Sequence, residues 1–221
     1  MKKLSIKNKN NESSRDFVEQ YLQSCSTKEQ FVHEVSNYLS DLKIEFYEYI
    51  GTLLKYAGFT NGHYKDEEGL QIGTLLKYAG FTNPHVTREG DVNCRFDATL
   101  IDSKHTVPIE IKSPREDKEI NIKAIRQAFE NKIVLLSRRF YPSSPEASSL
   151  ALAFNYPASR SDVYELVDDI KTSFGYNIGL IDIHDLVRIV YDVQKNGRIL
   201  NFDYIHTFQG KLDYEKATIK R

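Results

Sequence analysis

Three residues in the segment FDATLIDSKHTVPIEIKS have types and spacing that could do chemistry. Glu110 and Lys112 stand at i and i+2 in an apolar run, VPIEIKS (107–113). An extended chain sends both side chains from one face, while Val107, Ile109 and Ile111 point the other way, into a core. Asp97 lies in the preceding run, CRFDATLID (94–102), and SKHT between the two reads as the turn of an antiparallel hairpin. Pro108, near the start of the second strand, suggests a sheet edge or a bulge. Asp97 and Glu110 are hard oxygen ligands of the kind Mg2+ takes, and the backbone carbonyl of Ile111 could add a further oxygen. An ion held there would polarise a phosphate and generate hydroxide from water. Lys112 would orient or activate that water, or neutralise charge developing on the phosphorane. This is a minimal set for hydrolysing a phosphodiester. The competing expectation for an E-x-K on a strand is an ion-pair ladder on a hydrated sheet face.

The elements that must position these residues follow from periodicity. Residues 1–12 are Lys/Asn-rich and read as a frayed end. Helices are predicted from Ser14, with Phe17, Val18, Tyr21 and Leu22 on one side, and from Thr27, which has capping-box spacing to Gln30. A third runs from Glu45 to Ala57, with Phe46, Ile50, Leu53 and Leu54 on its apolar face and Gly58 as its stop. After the hairpin, Ile122, Ile125 and Phe129 mark a helix over 119–131. KIVLLSR (132–138) reads as a buried strand, FYPSSPEASS (140–149) as a loop, and LALAFNY (150–156) as a strand. Ser161 caps a helix that Gly175 ends. NIGLIDI (177–183) is a strand and HDLVRIVYDVQKNG (184–197) a helix. The resulting fold class is α/β, a mixed sheet flanked by helices, because the hairpin forces an antiparallel pairing. The chain divides into an N-terminal helical region (1–44), a core (45–200) and a mixed C-terminal tail (201–221), expected to pack as an accessory.

The sequence IGTLLKYAGFTN occurs twice, at 50–61 and at 72–83, an offset of 22 residues within a tandem repeat spanning 50–93. Two copies are too few for a solenoid, which needs about three. The repeat reads as a tandem duplication inside one domain, its second copy giving another amphipathic helix that ends at Gly80; a helix pair used as such is the alternative.

The chain has 221 residues, 40% hydrophobic and 28% charged, an ordinary globular mixture. No stretch approaches the ~20 apolar residues of a spanning helix, so no membrane partner is expected. The basic N-terminus lacks the apolar run of a secretory signal. Cys25 and Cys94 form no metal-binding spacing, and a reducing cytoplasm is the expected location. Lys and Arg total 30 against 31 Asp and Glu. A protein that holds nucleic acid alone is usually more basic, so positive charge must be local, or another chain must do the holding, if phosphate is the target.

The acid on one strand, followed by Glu110-x-Lys112 on the next and a helix after, resembles the PD-(D/E)XK nuclease superfamily, the fold of most type II restriction endonucleases. Asp97 matches the first acid, Glu110 the second and Lys112 the lysine, while Phe96 stands where the family usually has Pro. The motif covers residues 97–112, and an α-β-β-β-α-β order would extend the similarity over 45–195. The resemblance implies a restriction-endonuclease-like mixed sheet, Mg2+ held by Asp97 and Glu110, and double-stranded DNA as substrate. Family members often carry another acid on the helix before the hairpin, and EYIGTLLKYAGF offers Glu48. Because the duplication turns Glu48 into Leu70, Glu67 or Glu68 would substitute if the second copy holds the working position.

Lys123, Arg126, Gln127 and Glu130 share the polar side of the helix after the motif. Lys123 and Arg126, like Arg138 and Arg139, could meet phosphates or simply face solvent. Asp102 reads as turn chemistry, and His105 and the other histidines lack ligand spacing. The resemblance implies a Mg2+-dependent DNA endonuclease of restriction type. Such an enzyme could be a homodimer, or a cleavage subunit, as in type IIS-like systems, paired with a recognition subunit. A repair nuclease or junction resolvase of the same fold, and a catalytically inactive α/β interaction module, are the other readings. The absence of GxGxxG and GxxxxGK[ST] between a strand and a helix disfavours a nucleotide-binding enzyme.

Overall fold

A computed structural model describes residues 14–42, 45–58, 62–64, 96–101, 105–137 and 144–220. Three helices open it: α1 (Ser14–Ser24), α2 (Lys28–Ser40) and α3 (Glu45–Tyr56). The Thr27 side chain accepts from the Gln30 backbone N–H and starts α2. Gly58, at φ 95°, takes the left-handed turn that follows α3. Phe17 meets the rings of Tyr21, Tyr38 and Tyr49, so an aromatic cluster ties the three helices together.

The strands β1 (Gly62–Tyr64), β2 (Ala98–Ile101) and β3 (Thr106–Ile111) pair antiparallel in succession. Helix α4 (Ile122–Ser137) then crosses to β4 (Ser149–Ala153), which lies parallel to β3. Helix α5 (Asp162–Phe174) crosses to β5 (Ile178–Asp182), parallel to β4. Ser161 caps α5 and Gly175, at φ 74°, closes it. Asp182 accepts from the Asp185 N–H and caps α6 (Ile183–Lys195). The chain continues through β6 (Arg198–Leu200), α7 (Phe202–Ile205), β7 (Gly210–Lys211), α8 (Tyr214–Ala217) and β8 (Thr218–Lys220). Among the described residues the main sheet runs β1-β2-β3-β4-β5-β7, and β6 and β8 form a small ribbon.

The sheet carries a core on each face. Val107, Ile109, Ile111, Leu150, Leu152 and Ile181 point to α1, α2, α3 and α6. Ala151, Ala153, Ile178 and Leu180 point to α4 and α5. The molecule is therefore an α/β protein with a mixed sheet flanked by helices, as the patterning predicts. Among the described residues the elements from α3 to β4 come in the order α-β-β-β-α-β, with 65–95, between β1 and β2, lying outside them.

Three expectations change. KIVLLSR is not a strand: α4 continues through it to Ser137. Ala124, Ile125, Ala128, Asn131, Lys132 and Leu135 are buried at helical spacing, and a short apolar run does not by itself tell strand from helix. Pro108 is not at an edge, since β3 lies between β2 and β4. The β4 ladder begins at Ile109, one residue after the proline that lacks an N–H. The tail is built into the sheet: β7 pairs with β5, and Phe208, Leu212 and Ala217 join the larger core. The second repeat copy and its predicted helix lie outside the described residues.

Candidate active site

Strand alternation does what the i, i+2 spacing predicts. Ile109 and Ile111 enter one core, which turns Glu110 and Lys112 toward α4. The β2–β3 register pairs Ala98 with Ile109, so Asp97, one step earlier, stands opposite Glu110. The Lys112 N–H donates to the Leu152 carbonyl at 2.8 Å, which extends the β3–β4 pairing and fixes the lysine at the carboxyl end of β3.

This face is not hydrated. Asp97, Glu110 and Lys112 are 7%, 4% and 6% exposed, which excludes an ordinary surface ladder. Lys112 Nζ donates to Glu110 Oε1 at 2.8 Å, and Asn131 Nδ2 on α4 donates to Glu110 Oε2 at 3.1 Å. Asp97 Oδ2 accepts the Ile111 N–H at 2.9 Å across the hairpin. Removing charges from water is costly unless they are paired and hydrogen-bonded. Each of these polar groups accordingly has a partner.

Electrostatics follow from that burial. Desolvation, then the negative charge of Asp97, raises the Glu110 pKa above the usual carboxylate range, while Lys112 and Asn131 pull it back. For Lys112, desolvation works downward, but its bond to Glu110 and the charges of Glu110, Asp97 and Glu116 carry it above the ordinary lysine value. Lys112 is thus a held ammonium at neutral pH.

A second layer comes from residues that sequence reasoning missed. Tyr47 on α3 donates from its hydroxyl to Glu116 Oε2 at 2.8 Å and lies 3.5 Å from the Ile111 carbonyl oxygen. Glu116 Oε2 also accepts from the Ser113 N–H at 3.1 Å and Ser113 Oγ at 3.3 Å. Burial first, then the Glu116 bond and the charges of Asp97, Glu116 and Glu110, push the Tyr47 phenol far upward, so it stays a donor. Desolvation opposes ionisation of Glu116, yet its bonds from Tyr47 and Ser113 and the charge of Lys112 bring its pKa below the usual value. One sequence signal for Asn131 exists: it is a polar residue on the apolar stripe Ala124, Ala128, Leu135. Tyr47 and Glu116 carry no such signal, because they meet through a contact 69 residues apart.

Asp97, Glu110 and Lys112 are therefore brought together, and Glu48 is not. Glu48 is exposed on α3, whose buried face is Phe46, Tyr49, Ile50 and Leu53, and its neighbour Tyr47 reaches the cluster instead. Lys123, Arg126 and Glu130 are exposed, and Gln127 is half-buried. His105 packs its ring against His206, with centroids 5.2 Å apart. Glu67, Glu68, Cys94, Asp102, Arg138 and Arg139 lie outside the described residues.

Among the described residues no three His, Cys, Asp or Glu side chains are grouped to hold a metal ion. Asp97 and Glu110 are two carboxylates, however, and Mg2+ is commonly held by one or two carboxylates with waters and substrate phosphate completing its shell. Burial, then the charge of Asp97, raises the Glu110 pKa, and a divalent cation would relieve the repulsion between the two carboxylates. Two carboxylates are the donor set that Mg2+ takes in that mode. No helix among the described residues is long and apolar enough to cross a membrane. No family model matches the chain, and neither a curated protein nor a solved structure matches it significantly.

Proposed function

We propose that this protein is a Mg2+-dependent endonuclease of restriction type that hydrolyses phosphodiester bonds of double-stranded DNA in the cytoplasm. The carrying observation is the burial of Glu110 and Lys112 on one face of β3 with Asp97 opposite Glu110. Buried ionisable groups with perturbed pKa values are costly to keep and concentrate at functional sites.

In this reading Asp97 and Glu110 hold Mg2+, with the Ile111 carbonyl available beside them. When bound, the ion supplies Lewis-acid polarisation of the scissile phosphate and acidification of water. The chain's own residues do the rest. Asn131 and Lys112 hold the Glu110 carboxylate from its two oxygens. Lys112, kept protonated, orients the attacking water and offsets the charge that builds on the phosphorane. Tyr47 braces the Glu116 turn. The near-neutral balance of charge suits a cleavage subunit paired with a recognition subunit, or a homodimer whose basic surface is local.

Incubation of supercoiled plasmid with the full chain in Mg2+ or Mn2+ tests the activity. Nicking or linearisation that a chelator abolishes is the expected result. Cleavage that persists undiminished in the chelator would contradict a metal-dependent mechanism.

A further inference from the structure

A protein with nearly balanced charge needs local positive charge to hold DNA, and one groove outside the cluster carries two exposed cations. An open groove of ≈ 560 Å³ is lined by Glu119, Ile120, Asn121, Lys123, Arg126 and Ser161 among others. Lys123 and Arg126 are exposed, and among the described residues neither has an ion-pair or hydrogen-bond partner. They lie at i and i+3 on α4, on one helix face. Glu119 is the one acid of the lining, and Asp162 and Glu165 stand in the first turn of α5 beside Ser161, so the positive end of the groove is the Lys123–Arg126 end. The helix starts are already capped, by Asn121 on the Ala124 N–H and by Ser161 on the Val163 N–H. Phosphate binding would therefore rest on the two cations.

The groove is at the same end of the sheet as Lys112. Residues 118–120 run beside the end of β4: the Ile120 N–H donates to the Asn155 carbonyl at 3.1 Å, and the Asn155 N–H to the Lys118 carbonyl at 2.8 Å. The segment from Ser113 to Asn121 thus leads from the carboxyl end of β3, past the end of β4, into the groove. In open α/β sheets, ligands settle outside the carboxyl ends of the strands.

We infer that this groove holds backbone phosphates of the DNA duplex, with Lys123 and Arg126 as the contacts that position the strand beside Glu110 and Lys112. The inference rests on the nuclease reading for the identity of the substrate. Phosphate contacts carry no sequence information, so this surface would supply affinity and leave recognition to a partner.

The test is binding of a fluorescent duplex oligonucleotide by the full chain in a chelator, between about 50 and 200 mM salt. The wild type is compared with Lys123→Gln/Arg126→Gln and with Lys171→Gln/Lys195→Gln, which removes two cations from the last turns of α5 and α6. Two lost phosphate contacts should lower the slope of log affinity against log salt by about 1.8. At 100 mM salt that is a loss of roughly 60-fold if the contacts contribute nothing at 1 M. The distal pair should leave the slope unchanged. Equal slopes for wild type and the groove variant, or no duplex binding by wild type at about 50 mM salt, would overturn the inference. Plasmid cleavage by the same proteins separates it from the reading beneath it. Cleavage with groove-independent binding refutes the groove and leaves the nuclease. Groove-dependent binding with no cleavage in any divalent ion upholds the groove and counts against the nuclease.

Discussion

Lys132 offers the sharpest quantitative prediction. It is fully buried on α4, and its ammonium donates to the Ser144 carbonyl at 2.6 Å, with no carboxylate partner among the described residues. Burial pushes its pKa from 10.5 down to about 8. Charging the amine in the folded state thus costs about 3 kcal/mol relative to the unfolded chain, from 1.36 kcal/mol per unit. Between the two values the unfolded state binds more protons than the native state, so stability rises with pH through a window from about 8 to 10.5. Between about pH 7 and about pH 9.5 the wild type should gain about 2 kcal/mol from this group alone. Lys132→Met keeps most of the volume and removes the titration. Urea unfolding of both proteins at the two pH values isolates the effect, because every other group cancels in the difference. The variant should be stabilised relative to wild type most at the lower pH, and that advantage should shrink by about 2 kcal/mol at the higher one. A difference independent of pH would refute the argument that a desolvated, carboxylate-free amine is buried at this position.

Other outcomes follow from the same geometry. Glu110→Ala would remove the carboxylate bonded to the buried Lys112 ammonium and should cost about 3–5 kcal/mol by urea unfolding. Gly179→Ala would place a Cβ 2.7 Å from Leu150 Cδ2 and nearer still to the Phe208 ring, inside the sheet. Calorimetry should show a loss of about 1–3 kcal/mol, and an unchanged melting temperature would mean the β5–β7 edge yields more than its packing indicates. Mn2+ binding, followed by electron paramagnetic resonance, should weaken as pH falls toward the raised pKa of Glu110, earlier than for an ordinary carboxylate, because proton and metal compete. Affinity that holds steady down to the ordinary carboxylate range would argue against Glu110 as a ligand.

Much of the fold was legible in the sequence because its signals are local. Thr27, Gly58, Ser161 and Gly175 mark helix ends by side-chain capping or by left-handed backbone, and the structure uses each of them that way. The Glu110/Lys112 pairing was legible for the same reason, since a strand has period two. What was lost depends on distance. KIVLLSR reads as a strand in isolation and becomes helix because Asn131, Lys132 and Leu135 fall on the stripe that faces the sheet. The β7 strand is two residues long, too short for any periodic pattern, and is defined by pairing with β5. The resemblance points to Glu48, yet the buried face of α3 leaves Glu48 exposed and lets its neighbour Tyr47 approach the hairpin.

Asp97, Glu110 and Lys112 are proposed to form a metal-dependent phosphodiesterase site. Its most direct test compares supercoiled-plasmid cleavage by wild type and by Asp97→Ala, both in Mg2+ and in Mn2+. Wild type should nick or linearise the plasmid in a metal-dependent way, and the variant should not. Equal cleavage by the two proteins would contradict that assignment.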